Sequence, residues 1–142
     1  MLKRWFAVPP DQSLPVGEKA GRYFDQGYNC AQSVLLAICG PSSPELLEIA
    51  KSFGAGIGGA KCLCGAVSGG VMALSLKGKG KQGDRLVAAF RQRHRVTCCS
   101  ALSKPYQWKS AEHRANCRAL TVSAAEITAQ ILRGETVLDR AG

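Results

Sequence analysis

Seven cysteines, Cys30, Cys39, Cys62, Cys64, Cys98, Cys99 and Cys117, are the side chains of this 142-residue chain most suited to do chemistry. A thiolate is both a nucleophile toward disulfides and a soft metal ligand, so a gathered set supports either thiol–disulfide exchange or a metal centre. An odd number does not suit a fully paired disulfide scaffold. The first residues carry Lys3 and Arg4, but the apolar run stops at Pro9-Pro10, too early for a secretory leader. The expected compartment is therefore the cytoplasm, where a cysteine-rich chain is read as metal-binding or redox-active. Cys39 is set apart as a small buried hydrophobe.

The spacing narrows the chemistry. No CxxC is present, which argues against a thioredoxin-type site and against the paired knuckles of zinc ribbons and fingers. The absence of CxxCH excludes covalent haem by motif, and neither GxSxG, HExxH nor a Walker A sequence occurs. Gly54-x-Gly56-x-x-Gly59 fits the dinucleotide fingerprint letter by letter, but it follows the helix-like PELLEIAKS instead of a strand. It reads better as a flexible turn that delivers Cys62 and Cys64.

The elements that must position these thiols are helical. Hydrophobic residues make up 46% and charged residues 20% of the chain, ordinary globular usage that excludes disorder and coiled-coil arrays. No window approaches a membrane-spanning apolar run. Residues 1–15, with Pro9, Pro10 and Pro15, are expected to form an irregular arm, and residues 16–142 a single helical, cysteine-containing domain. Helices are expected over 16–26, over 29–38 with Asn29 as cap, over 44–53 with Ser43 as cap, over 64–76, over 84–97 and over 115–133. Residues 100–111 read as a loop around Lys104-Pro105. Nothing alternates with period two, so the expected architecture is all-α, a compact bundle of five or six helices with Gly-rich connections.

Helical periodicity then aims the thiols. Cys117 lies three residues before Leu120 on the stripe continued by Ala124, Ile127 and Ile131. Cys30 lies four before Val34, and Cys64 three before Val67. Each thiol thus falls on a packing face in the expected first turn of its helix, so the three are expected to converge at one end of the bundle. Helix-start N–H groups, with Lys61, Arg91, His94 and Arg95 nearby, are expected to lower their pKa. Around Cys64 the small residues Gly65, Ala66, Gly69 and Gly70 permit close approach of a neighbouring backbone or a cluster.

Taken together, Tyr28-Asn29-Cys30-Ala31-Gln32, the FGAGIGG stretch, Cys64-Gly65-Ala66 through Gly69, Cys99 and Cys117 resemble the small redox proteins named for the signature C_GCAxxG_C_C. The resemblance covers about residues 20–133. It implies a small helical redox protein whose four signature cysteines are Cys30, Cys64, Cys99 and Cys117, with the adjacent Cys98 an alternative to Cys99. Cys39, Cys62 and Cys98 are additions to the pattern, and Cys62 and Cys98 are candidate resolving thiols. Two chemistries follow. In one, Cys64 attacks a disulfide and Cys62, Cys99 or Cys30 resolves it. In the other, Cys30, Cys64, Cys99 and Cys117 hold one iron–sulfur cluster or a structural zinc.

The charge supplies a third class. Nineteen Lys and Arg against ten Asp and Glu give a formal +9, which favours anionic partners. Lys77, Lys79, Lys81, Arg85, Arg91, Arg93 and Arg95 face one acid, Asp84, which supports an anion or nucleic-acid module, although a solvated basic face accounts for the same pattern. His94 and His113 each precede a cysteine by four residues, Cys98 and Cys117, and are candidate bases or ligands if their helices extend that far. The leading expectation is thiol/disulfide or electron transfer with a redox partner protein or a small thiol or anion, Cys64 being the foremost thiol.

Overall fold

The computed structural model describes residues 9–138. Among these are seven α-helices: α1 (Val16–Asp25), α2 (Cys30–Cys39), α3 (Pro44–Lys51), α4 (Gly65–Leu76), α5 (Gly83–His94), α6 (Cys99–Ser103) and α7 (Ala111–Leu132). The all-α expectation holds, with more helices than five or six. No strand occurs among the described residues, whose isolated bridge joins Leu63 and Cys98 in antiparallel sense. No described helix is long and apolar enough to cross a membrane. Residues 1–8 of the expected arm and residues 139–142 of the expected domain lie outside the described residues.

Local chemistry sets the ends of these helices. Asn29 caps α2 by accepting the Gln32 N–H at 2.9 Å, while Gln32 Oε1 accepts the Asn29 N–H at 3.1 Å, a reciprocal capping box. Ser43 and Pro44 start α3. The helix expected over 84–97 stops at His94, because Arg95 turns left-handed at φ 72° and its N–H closes on the Arg91 carbonyl. The loop expected over 100–111 contains α6, a helix too short to show a periodic stripe. Ser110 caps α7 by accepting the His113 N–H at 3.1 Å, so this helix starts at Ala111 and not at Ala115. Cys117 consequently sits beyond the first turn, where the helix-start dipole has faded.

The long α7 is the strut of the molecule: α1, α2, α4 and α5 all pack against it. Phe90, Leu74, Leu86, Val34, Val67, Ile127 and Ile131 are sealed in the main core. Helices α2 and α4 share the most extensive contact, and the glycines of α4 make it possible. A β-carbon at Gly69 would overlap the Ala31 backbone, and one at Gly65 would overlap the Cys30 sulfur and the Phe53 carbonyl. Cys39, at the other end of α2, packs on a second core of Leu35, Ala50 and Ala73. The glycine fingerprint is a turn after α3. Its residues Ala55, Gly56, Ile57, Gly58 and Gly59 all have φ between 51° and 81°, a left-handed run.

Candidate functional site

Cys30 opens α2, Cys64 is the residue preceding α4, Cys99 opens α6 and Cys117 lies inside α7. Four separate elements thus bring one sulfur each to a single partly open cavity of about 500 Å3, whose walls also include Tyr28, Trp108 and His113. Cys64 and Cys99 are buried, and Cys30 and Cys117 are half-buried. The four are close enough to repel one another as anions: Cys30 and Cys99 each push up the thiols of both Cys64 and Cys117. Cys62 and Cys98 do not line the cavity; Cys62 is exposed and Cys98 half-buried beside it. Cys39 is remote from the cavity; expected to be buried, it is only half-buried, packed at the edge of the second core.

Burial reverses the expected direction of the thiol pKa shifts. Desolvation holds Cys64 up at about 12, despite the backbone N–H groups of Ala66 and Val67 that pull the other way. Cys117 is likewise pushed up to about 11 by burial and then by Cys30 and Cys99. Cys30 is raised by burial against the opposing N–H groups of Ala31 and Ala55, and Cys99 by burial against the Ser103 hydroxyl and Lys61. Cys98 alone is lowered, by the Ser100 hydroxyl first and then by the N–H groups of Ala101 and Ser100. Its sulfur stands 3.1 Å from Ser100 Oγ.

Of the two histidine–cysteine pairs, one forms. His94 lies at the end of α5 and meets Ser123 Oγ at 2.8 Å, while Cys98 follows the left-handed break at Arg95. His113 and Cys117 do meet across a turn of α7, Nε2 to Sγ at 3.5 Å. The Lys109 N–H donates to His113 Nδ1 at 3.0 Å. Burial, then Lys61, lowers the pKa of the ring and keeps it neutral near pH 7. The proton therefore resides on Nε2, which faces Ser103 Oγ at 3.1 Å as well as Cys117. His113 is poised as a hydrogen-bond donor to sulfur and not as its base. Trp108 covers the ring at 4.3 Å between centroids, and Lys61 Nζ lies 4.2 Å over Trp108. The i, i+4 spacing signalled His113; no periodic pattern signalled Trp108, which stands outside any helix.

No group of three or more His, Cys, Asp or Glu among the described residues is arranged to hold a metal ion. The four cavity thiols have the chemistry of a cluster ligand set, but they share a cavity without being drawn into a metal-holding group. Among the basic residues of 77–95, Arg85 bonds to Gln82 and the Glu135 carbonyl, and Arg93 bonds to Gln130. Lys77, Lys81, Arg91 and Arg95 lie exposed.

Fold and cavity together define a small all-α protein whose chemical groups are thiols gathered from separate helices. Residues 28–131 match the family described as "Putative redox-active protein (C_GCAxxG_C_C)", and the chain belongs to that family. Comparison with curated proteins and with solved structures finds no match.

Proposed function

We propose that the cavity performs thiol–disulfide exchange, with Cys30, Cys64, Cys99 and Cys117 as its working thiols and a disulfide on a redox partner protein or small molecule as the electron acceptor. Two cavity thiols give up two electrons and two protons and join as a disulfide, while the acceptor takes both to become two thiols. The observation that supports this is the single cavity shared by four cysteines whose positions span residues 30–117. Burial penalises the thiolate but neither the thiol nor the disulfide, so the resting cavity holds neutral thiols, each of which gives up its proton when it reacts.

A zinc or iron–sulfur centre would require all four sulfurs to be drawn together into one coordination sphere. Exchange requires one pair at a time. Cys64 remains the leading thiol because both Cys30 and Cys99 act on it within the cavity, so it has a partner on either side. Counting free thiols in the reduced protein before and after a small disulfide oxidant tests the reading. Wild type is expected to lose one pair of cavity thiols and to recover it on reduction. Cys64→Ala is expected to abolish the reversible disulfide within the cavity, located by peptide mapping, and Cys39→Ala to leave it intact; equal behaviour of the two variants would refute the assignment.

A further inference from the structure

Cys64 and Cys99 are buried and Cys30 and Cys117 half-buried, so the exposed Cys62 is the sulfur that an incoming disulfide reaches most readily. The isolated bridge supplies a path. Leu63 pairs with Cys98, the Cys99 N–H donates to the Cys62 carbonyl, and the Cys64 N–H donates to the Thr97 carbonyl at 2.8 Å. Residues 62–64 and 97–99 therefore run antiparallel, with Cys62 directly opposite Cys99. In such a pairing opposed residues share one face, and their Cα atoms lie about 5.5 Å apart, inside the range that a disulfide spans. Residues 63 and 98 fall on the other face. The pairing is anchored, because the Cys62 N–H bonds to the Gly56 carbonyl at 2.9 Å and the Ser100 N–H to the Lys61 carbonyl at 3.0 Å. Cys62 is exposed and Cys99 is buried in the cavity wall.

We propose that Cys62 is the entry thiol of a relay in which Cys99 carries oxidation from the surface into the cavity. The inference rests on the thiol–disulfide reading above. The Cys62 thiolate attacks one sulfur of an incoming disulfide, forming a mixed disulfide and releasing the other half as a thiolate, which takes up a proton. Cys99, losing its own proton to solvent, attacks the Cys62 sulfur; the Cys62–Cys99 disulfide forms and the second half leaves. Cys64, the leading cavity thiol, then attacks the Cys99 sulfur, and Cys62 returns as a thiol. One external disulfide becomes two thiols, one cavity dithiol becomes a disulfide, and two electrons and two protons pass outward. Cys99 is suited to the middle position: both Cys62 and Cys98 act electrostatically on it from the surface side, and it acts on Cys30, Cys64 and Cys117 from within. Both surface sulfurs hold a local contact, Cys98 with Ser100 Oγ and the Lys61 carbonyl and Cys62 with the Ala60 carbonyl at 3.8 Å, so position decides between them: Cys98 lies on the face turned from Cys99, and Cys62 on the face it shares with Cys99.

The test mixes the reduced full-length protein with an equimolar amount of 4,4′-dithiodipyridine and follows release of the coloured thiopyridone, with peptide mapping of the quenched products. Wild type is expected to release both halves of the reagent. Cys99→Ser, and Cys99→Ala as a second variant checked for native helical circular dichroism, is expected to release only the first half and to retain the other on Cys62. Cys62→Ser is expected to form the cavity disulfide at least about tenfold more slowly, and Cys98→Ser within about twofold of the wild-type rate. A wild-type rate in Cys62→Ser, or an adduct on Cys98 in the Cys99 variants, overturns the relay alone. On long incubation Cys62→Ser must still reach the same cavity disulfide. If neither it nor wild type ever does, the exchange reading has failed and the relay with it.

Discussion

Because the Lys109 N–H occupies Nδ1 of His113, the only hydrogen this ring offers to the cavity is on Nε2, 3.5 Å from the Cys117 sulfur. A donor at that distance stabilises a thiolate more than a thiol, so it opposes the burial that raises Cys117 to about 11. Replacing His113 with Leu keeps the bulk but removes the donor. The pH at which Cys117 is half-alkylated is then expected to rise by roughly one unit, the scale of one hydrogen bond to a charged group. His113→Gln, whose amide N–H can reach the same sulfur, is expected to restore part of the shift. Peptide-resolved alkylation across a pH series measures both; an unchanged Cys117 profile in His113→Leu would make the ring a packing group only.

At the scale of elements, the α2–α4 contact places two of the four thiols, and it depends on residues with no side chain. A methyl at position 65 has to displace the Cys30 sulfur or the Phe53 carbonyl, so Gly65→Ala is expected to cost about 1–3 kcal/mol in urea unfolding and to alter Cys30 alkylation before that of Cys117. Gly83→Ala, where the nearest atoms are Val71 methyls at 3.5 Å, provides the mild comparison. The helices that carry local signals were legible in the chain: Asn29 with Gln32 marked α2, Ser43-Pro44 marked α3, and the stripe of Leu120, Ala124, Ile127 and Ile131 marked the buried face of α7. What escaped was weakly patterned. The first turn of α7, Ala111-Glu112-His113-Arg114, is mostly polar, so the apolar stripe begins later than the helix. The five residues of α6 span barely more than a turn, too few to establish a period. The convergence of Cys30, Cys64 and Cys117 could be read from periodicity. The direction of their pKa shifts could not, because burial depth is a property of the assembled helices and outweighs the helix-start N–H groups.

For the whole molecule, those raised pKa values link stability to pH. An unfolded thiol titrates near 9.0, whereas Cys64 and Cys117 in the folded chain titrate near 12 and 11. The folded state thus holds these protons more tightly, and the stability this confers is complete below pH 9 and lost as pH rises through 11 and 12. The urea midpoint of the reduced protein is expected to fall across that alkaline window, with a shallower fall in Cys64→Ala; parallel profiles would mean that Cys64 is more hydrated than its burial implies. The same architecture, four separate elements delivering one sulfur each, underlies the redox account, and the most direct measurement is to locate the bond it predicts. Oxidising the reduced protein with a small disulfide, blocking the remaining thiols and sequencing the cross-linked peptides by mass spectrometry should find a disulfide joining two of Cys30, Cys64, Cys99 and Cys117, reversible on reduction. Oxidation confined to pairs that exclude all four, or cross-links only between separate chains, would contradict the account.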